Sequence, residues 1–171
     1  GVLYTIIVMF GPVSGAHFNP VVTLAEAVLG DRPWSDVAPY IAAQIAGGAV
    51  GAMIANLMFE LDPINVSAKV REGEGQFIGE IVATFGLVFL VFALVRSDRD
   101  RLVAGAVAAY IGGAYWFTSS TSFANPAVTV TRTLSDTFAG IDPANAPMFV
   151  VMQLVGAGLA VAALRVIYPS D

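Results

Sequence analysis

Cysteine is absent from the 171-residue chain, histidine occurs once, at His17, and charged residues make up only 12%. The first absence excludes disulfides, cysteine-ligated zinc, iron–sulfur clusters and thiol catalysis, and one histidine cannot build a histidine metal site or a two-histidine relay. No Ser-His-Asp set is available beyond this single His, and no phosphate-cradling loop with lysine precedes a helix. The sequence therefore predicts no catalytic residue, no metal and no cofactor. Basic residues number 8 against 13 acidic ones, and the formal charge of −5 is spread over loops. A nucleic-acid partner, which needs clustered Lys and Arg, is excluded with it.

What is present is apolar, at 57% hydrophobic residues. Gly1–Ala25, Pro39–Phe59, Ile81–Val95, Leu102–Thr131 and Pro143–Leu164 contain no Asp, Glu, Lys or Arg. About 20 helical residues cross ~30 Å of hydrocarbon, so these runs predict a multi-pass, all-α protein of a lipid bilayer. Spans are expected near Gly1–Pro12, Trp34–Phe59, Gln76–Val95, Leu102–Phe117 and Pro147–Tyr168, separated by water-exposed turns at Asp31–Asp36, Glu60–Gly75, Arg96–Arg101 and Asp136–Ala146. Two segments, Asn19–Leu29 and Asn125–Asp136, are too short to cross. Basic residues favour a cytoplasmic Arg96–Arg101 turn, with Lys69, Arg71 and Arg132 on the outer side.

The chain repeats itself. Ser14–Thr23 reads SGAHFNPVVT and Thr121–Thr129 reads TSFANPAVT, which sets Asn19 and Asn125 apart by 106 positions (125 − 19). The following span in each half opens with proline and continues through glutamine to glycines: Pro39, Gln44, Gly47 and Gly48 against Pro147, Gln153, Gly156 and Gly158. Two halves in opposite orientation each need an odd number of spans, which residues 76–168 supply and residues 1–59 do not. The counterpart of Glu80 falls before Gly1, so one domain over 1–171 is expected, with a repeat-1 remnant at 1–59 and its first transmembrane helix missing.

Asn-Pro is a helix-start signal, because asparagine caps orphan amides and proline at the first helical position gives up no hydrogen bond. Each motif is expected to open a half-membrane helix, tolerated only where protein or a water-filled cavity satisfies its irregular lead-in. In an inverted pair the two amino termini meet near the midplane, with Asn19 beside Asn125. Each end acts as roughly half a positive charge, which repels cations and protons but not neutral solutes. The asparagine amides and the carbonyls of Ser14–Phe18 and Ser120–Ala124 then offer partners to hydroxylated molecules.

These residues resemble the aquaporin and aquaglyceroporin, or major intrinsic protein, family. The likeness rests on Ser14-Gly15-Ala16-His17-Phe18-Asn19-Pro20, on Asn125-Pro126-Ala127, and on Glu80 with Thr84-Phe85. It implies an inverted repeat with two re-entrant half-helices, passive conduction of water or small neutral solutes, a homotetramer, and residence in the cell's cytoplasmic membrane. Asn19, Pro20, Val21, Asn125, Pro126 and Ala127 become the pore constriction; Gly113, Ser122 and Val128 become the legible part of the selectivity filter. Val21 replaces the family's alanine, a modest enlargement beside the constriction. Val128 stands where the family places an arginine, so the filter should be wider and less repulsive to cations. Valine there, with the stretches 114–118, 122–129 and 136–141, resembles a bacterial subgroup of arsenic-resistance operons and implies conduction of arsenite alongside glycerol and water.

Structural support is expected from Glu80, His17 and Arg132. Glu80, an acid within a span, is either a proton relay or, as the resemblance implies, an acceptor for a re-entrant loop's amides. His17 is a pH sensor or a lead-in residue hydrogen-bonded to backbone. Arg132, one turn beyond Val128, moves charge toward the outer vestibule or anchors its half-helix to carbonyls or Asp136. Gly47 with Gly51, and Gly156 with Ala160, read as close helix contacts. The rival functions are a proton- or ion-coupled carrier using Glu80, and a non-conducting structural membrane protein.

Overall fold

A computed structural model describes residues 1–169 as an all-helical protein, and every expected span and both short segments appear as helices. They are α1 Val2–Ser14, α2 Pro20–Leu29, α3 Trp34–Met58, α4 Glu74–Arg96, α5 Val103–Phe117, α6 Pro126–Thr131 and α7 Ala146–Ile167. α3, α4 and α7 are each long and apolar enough to cross a membrane unaided. α5 has 15 residues and is extended at its start by a 3₁₀ turn, Asp100–Leu102. The 10 residues of α2 and 6 of α6 span only about 15 and 9 Å at 1.5 Å per residue, so neither crosses.

Charge and proline set the boundaries. Pro20 and Pro126 stand first in their helices behind the extended caps Asn19 (φ −154°) and Asn125 (φ −159°). Gly15 ends α1 and Gly30 ends α2, each in a left-handed conformation open to glycine at little steric cost.

The main core joins α2, α4 and α7 through Val21, Val22, Ala25, Val88, Phe92, Ala160 and Leu164. α4 and α7 lie close because Gly156 has no side chain: a Cβ there would stand 2.5 Å from the Ile81 carbonyl oxygen. Ala160, one turn on, is fully buried, as the small-residue step requires. In α3 the close approach is at Gly48, where a Cβ would stand 2.9 Å from Thr131 Cγ2, whereas Gly47 and Gly51 meet nothing within 4 Å. The first Gly-x-x-x-Gly step is thus out of phase with the contact by one residue. Apolar side chains such as Val50, Ile54, Leu57, Val151, Leu159 and Trp116 are exposed on the flanks, a surface suited to hydrocarbon.

The turn expected over Glu60–Gly75 does not simply lie in water. Residues 65–67 pair with the 3₁₀ turn Arg132–Leu134 that follows α6, Asn65 N donating to Leu134 O at 3.0 Å and Ser67 N to Thr133 O at 2.9 Å. Arg71 is buried. This connection packs onto the second half-helix because that short helix leaves its last carbonyls unpaired.

Candidate functional site

The two Asn-Pro motifs meet through reciprocal bonds. Asn19 caps its own helix by accepting from Val21 N at 3.1 Å, and its Nδ2 donates to Ala124 O at 2.7 Å. Asn125 accepts from Ala127 N at 3.0 Å and Val128 N at 3.2 Å, and its Nδ2 donates to Phe18 O at 2.8 Å. Phe18 and Ala124 are equivalent positions of the repeat, so the pair of bonds has the symmetry of two related halves. One hydrogen of each amide is consumed by the opposite lead-in, which leaves one per asparagine for a solute.

The lead-ins share a backbone as well. Ala16 (φ 51°) and Phe18 (φ 49°) are left-handed, and so are their repeat equivalents Ser122 (φ 49°) and Ala124 (φ 48°). For residues other than glycine such a conformation costs roughly 1–3 kcal/mol and persists only where neighbours over-determine it. The neighbours here are polar and buried. Glu80, fully buried, accepts from Phe123 N and Ala124 N, each at 2.8 Å, and from Gln153 Nε2 at 2.6 Å. Gln153 Nε2 also donates to Thr129 Oγ1 at 2.8 Å, and Thr129 Oγ1 to Asn125 O at 2.9 Å. The first half repeats this chain: Gln44 Nε2 to Thr23 Oγ1 at 3.0 Å, and Thr23 Oγ1 to Asn19 O at 3.2 Å.

His17 completes that first set. Thr23 Oγ1, already bonded to Asn19 O and Gln44 Nε2, also lies 3.0 Å from His17 Nδ1, within hydrogen-bonding distance. Its Nε2 lies 3.2 Å from Glu26 Oε2, and Arg32 pairs with the same carboxylate. The histidine is held by side chains rather than by backbone.

A cavity of about 740 Å³ lies against the paired tips, with walls from α1, α4 and α5 and with Asp100, Arg101 and Arg132 also among its lining residues. Asn19, Asn125, Ser122, Val128, His17 and Arg132 line it. Gly113 on α5 is exposed and is not among the lining residues. Val21 is fully buried in the α2–α4–α7 core and is not among the residues lining the cavity, so the enlargement expected beside the constriction faces the core instead. Pro20, Pro126 and Ala127 are buried and serve as helix-start residues.

Arg132 makes no side-chain hydrogen bond among the described residues. Asp136, the partner expected for it, accepts instead from Ser67 Oγ at 3.3 Å and Ala68 N at 3.1 Å. The anchoring is done by Arg71, which counting loop charge did not single out. Its guanidinium donates to Gly140 O at 2.7 Å and to Ser120 O and Phe138 O at 3.1 Å, and lies 4.7 Å from the centre of the Phe123 ring. Burial draws the Arg71 pKa below the ordinary guanidinium value, with Glu80 and Tyr115 pulling it back up.

Known proteins are similar to this chain in sequence. The profile of the major intrinsic protein family matches residues 1–121. Aquaglyceroporin AqpS of Rhizobium meliloti is 47% identical over 164 residues, covering 96% of this chain and 70% of that protein. Aquaporin NIP3-1 of Arabidopsis thaliana is 35% identical over 58% of this chain and 34% of its own length. A glycerol uptake facilitator protein of Streptococcus pneumoniae is 35% identical over 52% of this chain and 43% of its own length.

Proposed function

This chain belongs to the major intrinsic protein family, a family of membrane channels rather than enzymes, and from that premise we propose that it passes small uncharged polar solutes passively across a bilayer. Water and glycerol-like molecules are the general substrates, and neutral metalloid hydroxides such as arsenous acid a further class. The reading is carried by the reciprocal bonds between Asn19 and Ala124 and between Asn125 and Phe18. They join two helix amino termini at the wall of one cavity, where positive ends repel cations while amides and carbonyls replace the water around a neutral hydroxyl. Stripping a hydroxyl of its partners costs ~4–8 kcal/mol in a medium that cannot hydrogen-bond, so these groups govern passage. Val128, apolar and on that wall, supports a width suited to polyols.

The rest of the reading follows the same likeness: Asn19, Pro20, Asn125, Pro126 and Ala127 at the constriction, Ser122 and Val128 in the filter, residues 1–59 and 76–168 as inverted halves, four copies per assembly, and the cytoplasmic membrane as location. Three bonds already engage the Glu80 carboxylate, which favours a fixed acceptor over a proton relay. Stopped-flow light scattering on proteoliposomes, with water, glycerol and arsenous acid gradients side by side, tests the proposal. Flux of each that is indifferent to a pH gradient is expected. Flux that follows the proton gradient would mark a coupled carrier, and none at all a structural protein.

A further inference from the structure

The two lead-ins are each gripped by a carboxylate, but in different ways. Glu80 takes the second by its backbone, accepting from Phe123 N and Ala124 N. At the repeat spacing of 106 positions (125 − 19), Phe123 corresponds to His17, and in the first half it is the His17 ring that meets an acid. Its Nε2 lies 3.2 Å from Glu26 Oε2 and its Nδ1 3.0 Å from Thr23 Oγ1, so both ring nitrogens face α2. The His17 side chain is 6% exposed and that of Glu26 21%, little enough that salt and water screen the pair weakly. Arg32 pairs with the same carboxylate, reaches Asp36 at 3.5 Å and lies 4.4 Å from the centre of the Tyr40 ring. Tyr40 in turn donates to Ser14 O, at the end of α1, at 3.1 Å. Glu26 thus belongs to a cluster that joins α1, α2 and α3 around a lead-in whose Ala16 and Phe18 are held at positive φ.

We propose that Glu26 is a positioning residue for the passage: through the His17 ring it fixes the first lead-in, so that the Phe18 carbonyl stays on Asn125 Nδ2, and Arg32 steadies the carboxylate. Glu26 does through a side chain what Glu80 does through two amides. The arrangement carries a pH signature, because one carboxylate faces two basic groups. Burial draws the His17 pKa below its ordinary value, Glu26 pulls it back up and Arg32 pushes it down. The folded form therefore loses stability as pH falls through the histidine range, about 6.5 for a free imidazole, and loses more of it without Glu26. Tyr40, 5.6 Å away between ring centres, is the titratable group of α3 against the histidine, and Asp36 stands beyond Arg32. Asp31, Asp100, Arg101 and Arg132 line the same cavity, but among the described residues Glu26 alone pairs with the ring.

The inference rests on the channel reading above and is tested with the full chain in proteoliposomes, by water permeability from about pH 8 to about pH 5 with no gradient across the membrane. Glu26→Gln is expected to conduct less than wild type throughout. The gap is expected to widen about fivefold toward acid, the difference between a charge-assisted hydrogen bond and a neutral one. In a His17→Gln background the same substitution should open a gap that does not change with pH. A gap constant with pH in the presence of His17 overturns the proposal, since a carboxylate that only fills space acts alike at every pH. His17 is the chain's one histidine, so isotope-labelled histidine gives a single imidazole titration by NMR. Its midpoint should move to more acid pH in Glu26→Gln; a midpoint that stays put overturns the pair. Should Glu26→Gln fail to assemble, Arg32→Gln removes the opposing cation and should move the midpoint to less acid pH, and no movement or the reverse counts against the cluster. A wild-type protein that passes no water would refute the channel reading itself, whereas a conducting wild type with a pH-independent gap refutes only the role of Glu26.

Discussion

Replacing Glu80 by Gln keeps the size of the side chain and removes its charge, and the consequence can be worked from three bonds. One carboxylate oxygen accepts from Phe123 N, and the other from Ala124 N and Gln153 Nε2. A glutamine must place its own NH₂ at one of these positions, and the less damaging choice sets it against Phe123 N–H. That amide is then buried and unsatisfied, at about 1–3 kcal/mol, and the two surviving bonds fall from charge-assisted to neutral at about 1 kcal/mol each. The loss of about 3–5 kcal/mol acts on a lead-in whose Ser122 and Ala124 are already held at positive φ. Relaxation of that segment moves the Ala124 carbonyl away from Asn19. At 1.4 kcal/mol per factor of ten, the assembled pore is depopulated by more than about a hundredfold relative to the relaxed form. Stopped-flow water permeability of proteoliposomes at equal protein content reads this directly, together with the melting temperature in detergent. Water flux and melting temperature within error of wild type would show that the carboxylate does not hold the lead-in.

Val128→Arg places a guanidinium on the cavity wall, and the ratio of glycerol to water permeability is expected to fall about tenfold or more in swelling assays; an unchanged ratio would reject the wide-filter reading. With no cysteine in the chain, mercuric chloride should leave the flux unblocked, and strong inhibition reversed by added thiol would contradict this. Gly156→Ala puts a methyl 2.5 Å from the Ile81 carbonyl oxygen, so α4 and α7 must separate at a cost of about 1–3 kcal/mol. A melting temperature as high as wild type would argue against that contact.

The helices were legible because charge-free runs and Asn-Pro starts are local signals, and their boundaries follow Pro20, Pro126 and the charged turns closely. The meeting of Asn19 and Asn125 was legible from their repeat spacing, and the bonds Glu80 makes are those the family likeness implies. What escaped depends on partners far along the chain. Arg71 contacts Ser120 and Gly140 across 49 and 69 residues, and nothing in its own loop points there. Val21 sits next to a pore motif, but the helical phase of α2 turns it into the core. Gly48 rather than Gly47 meets a neighbour, because spacing fixes the period of a helix contact and leaves its phase to packing. The roles of Arg71 and Arg132 could not be separated by charge, since hydrogen-bond partners alone distinguish them.

Each asparagine tip finishes the other's loop, which imposes an order on synthesis. Asn19 leaves the ribosome 105 residues ahead of the carbonyl it will hold. At about 5–20 residues per second that is a delay on the order of 5–20 s. Throughout it, the first half-helix has no opposite number, and its dangling amide must be lodged in water or in the insertion machinery. The bond between the tips forms only after both halves have been made, whereas the contacts of Thr23, Gln44, His17 and Glu26 lie within the first half and can precede it.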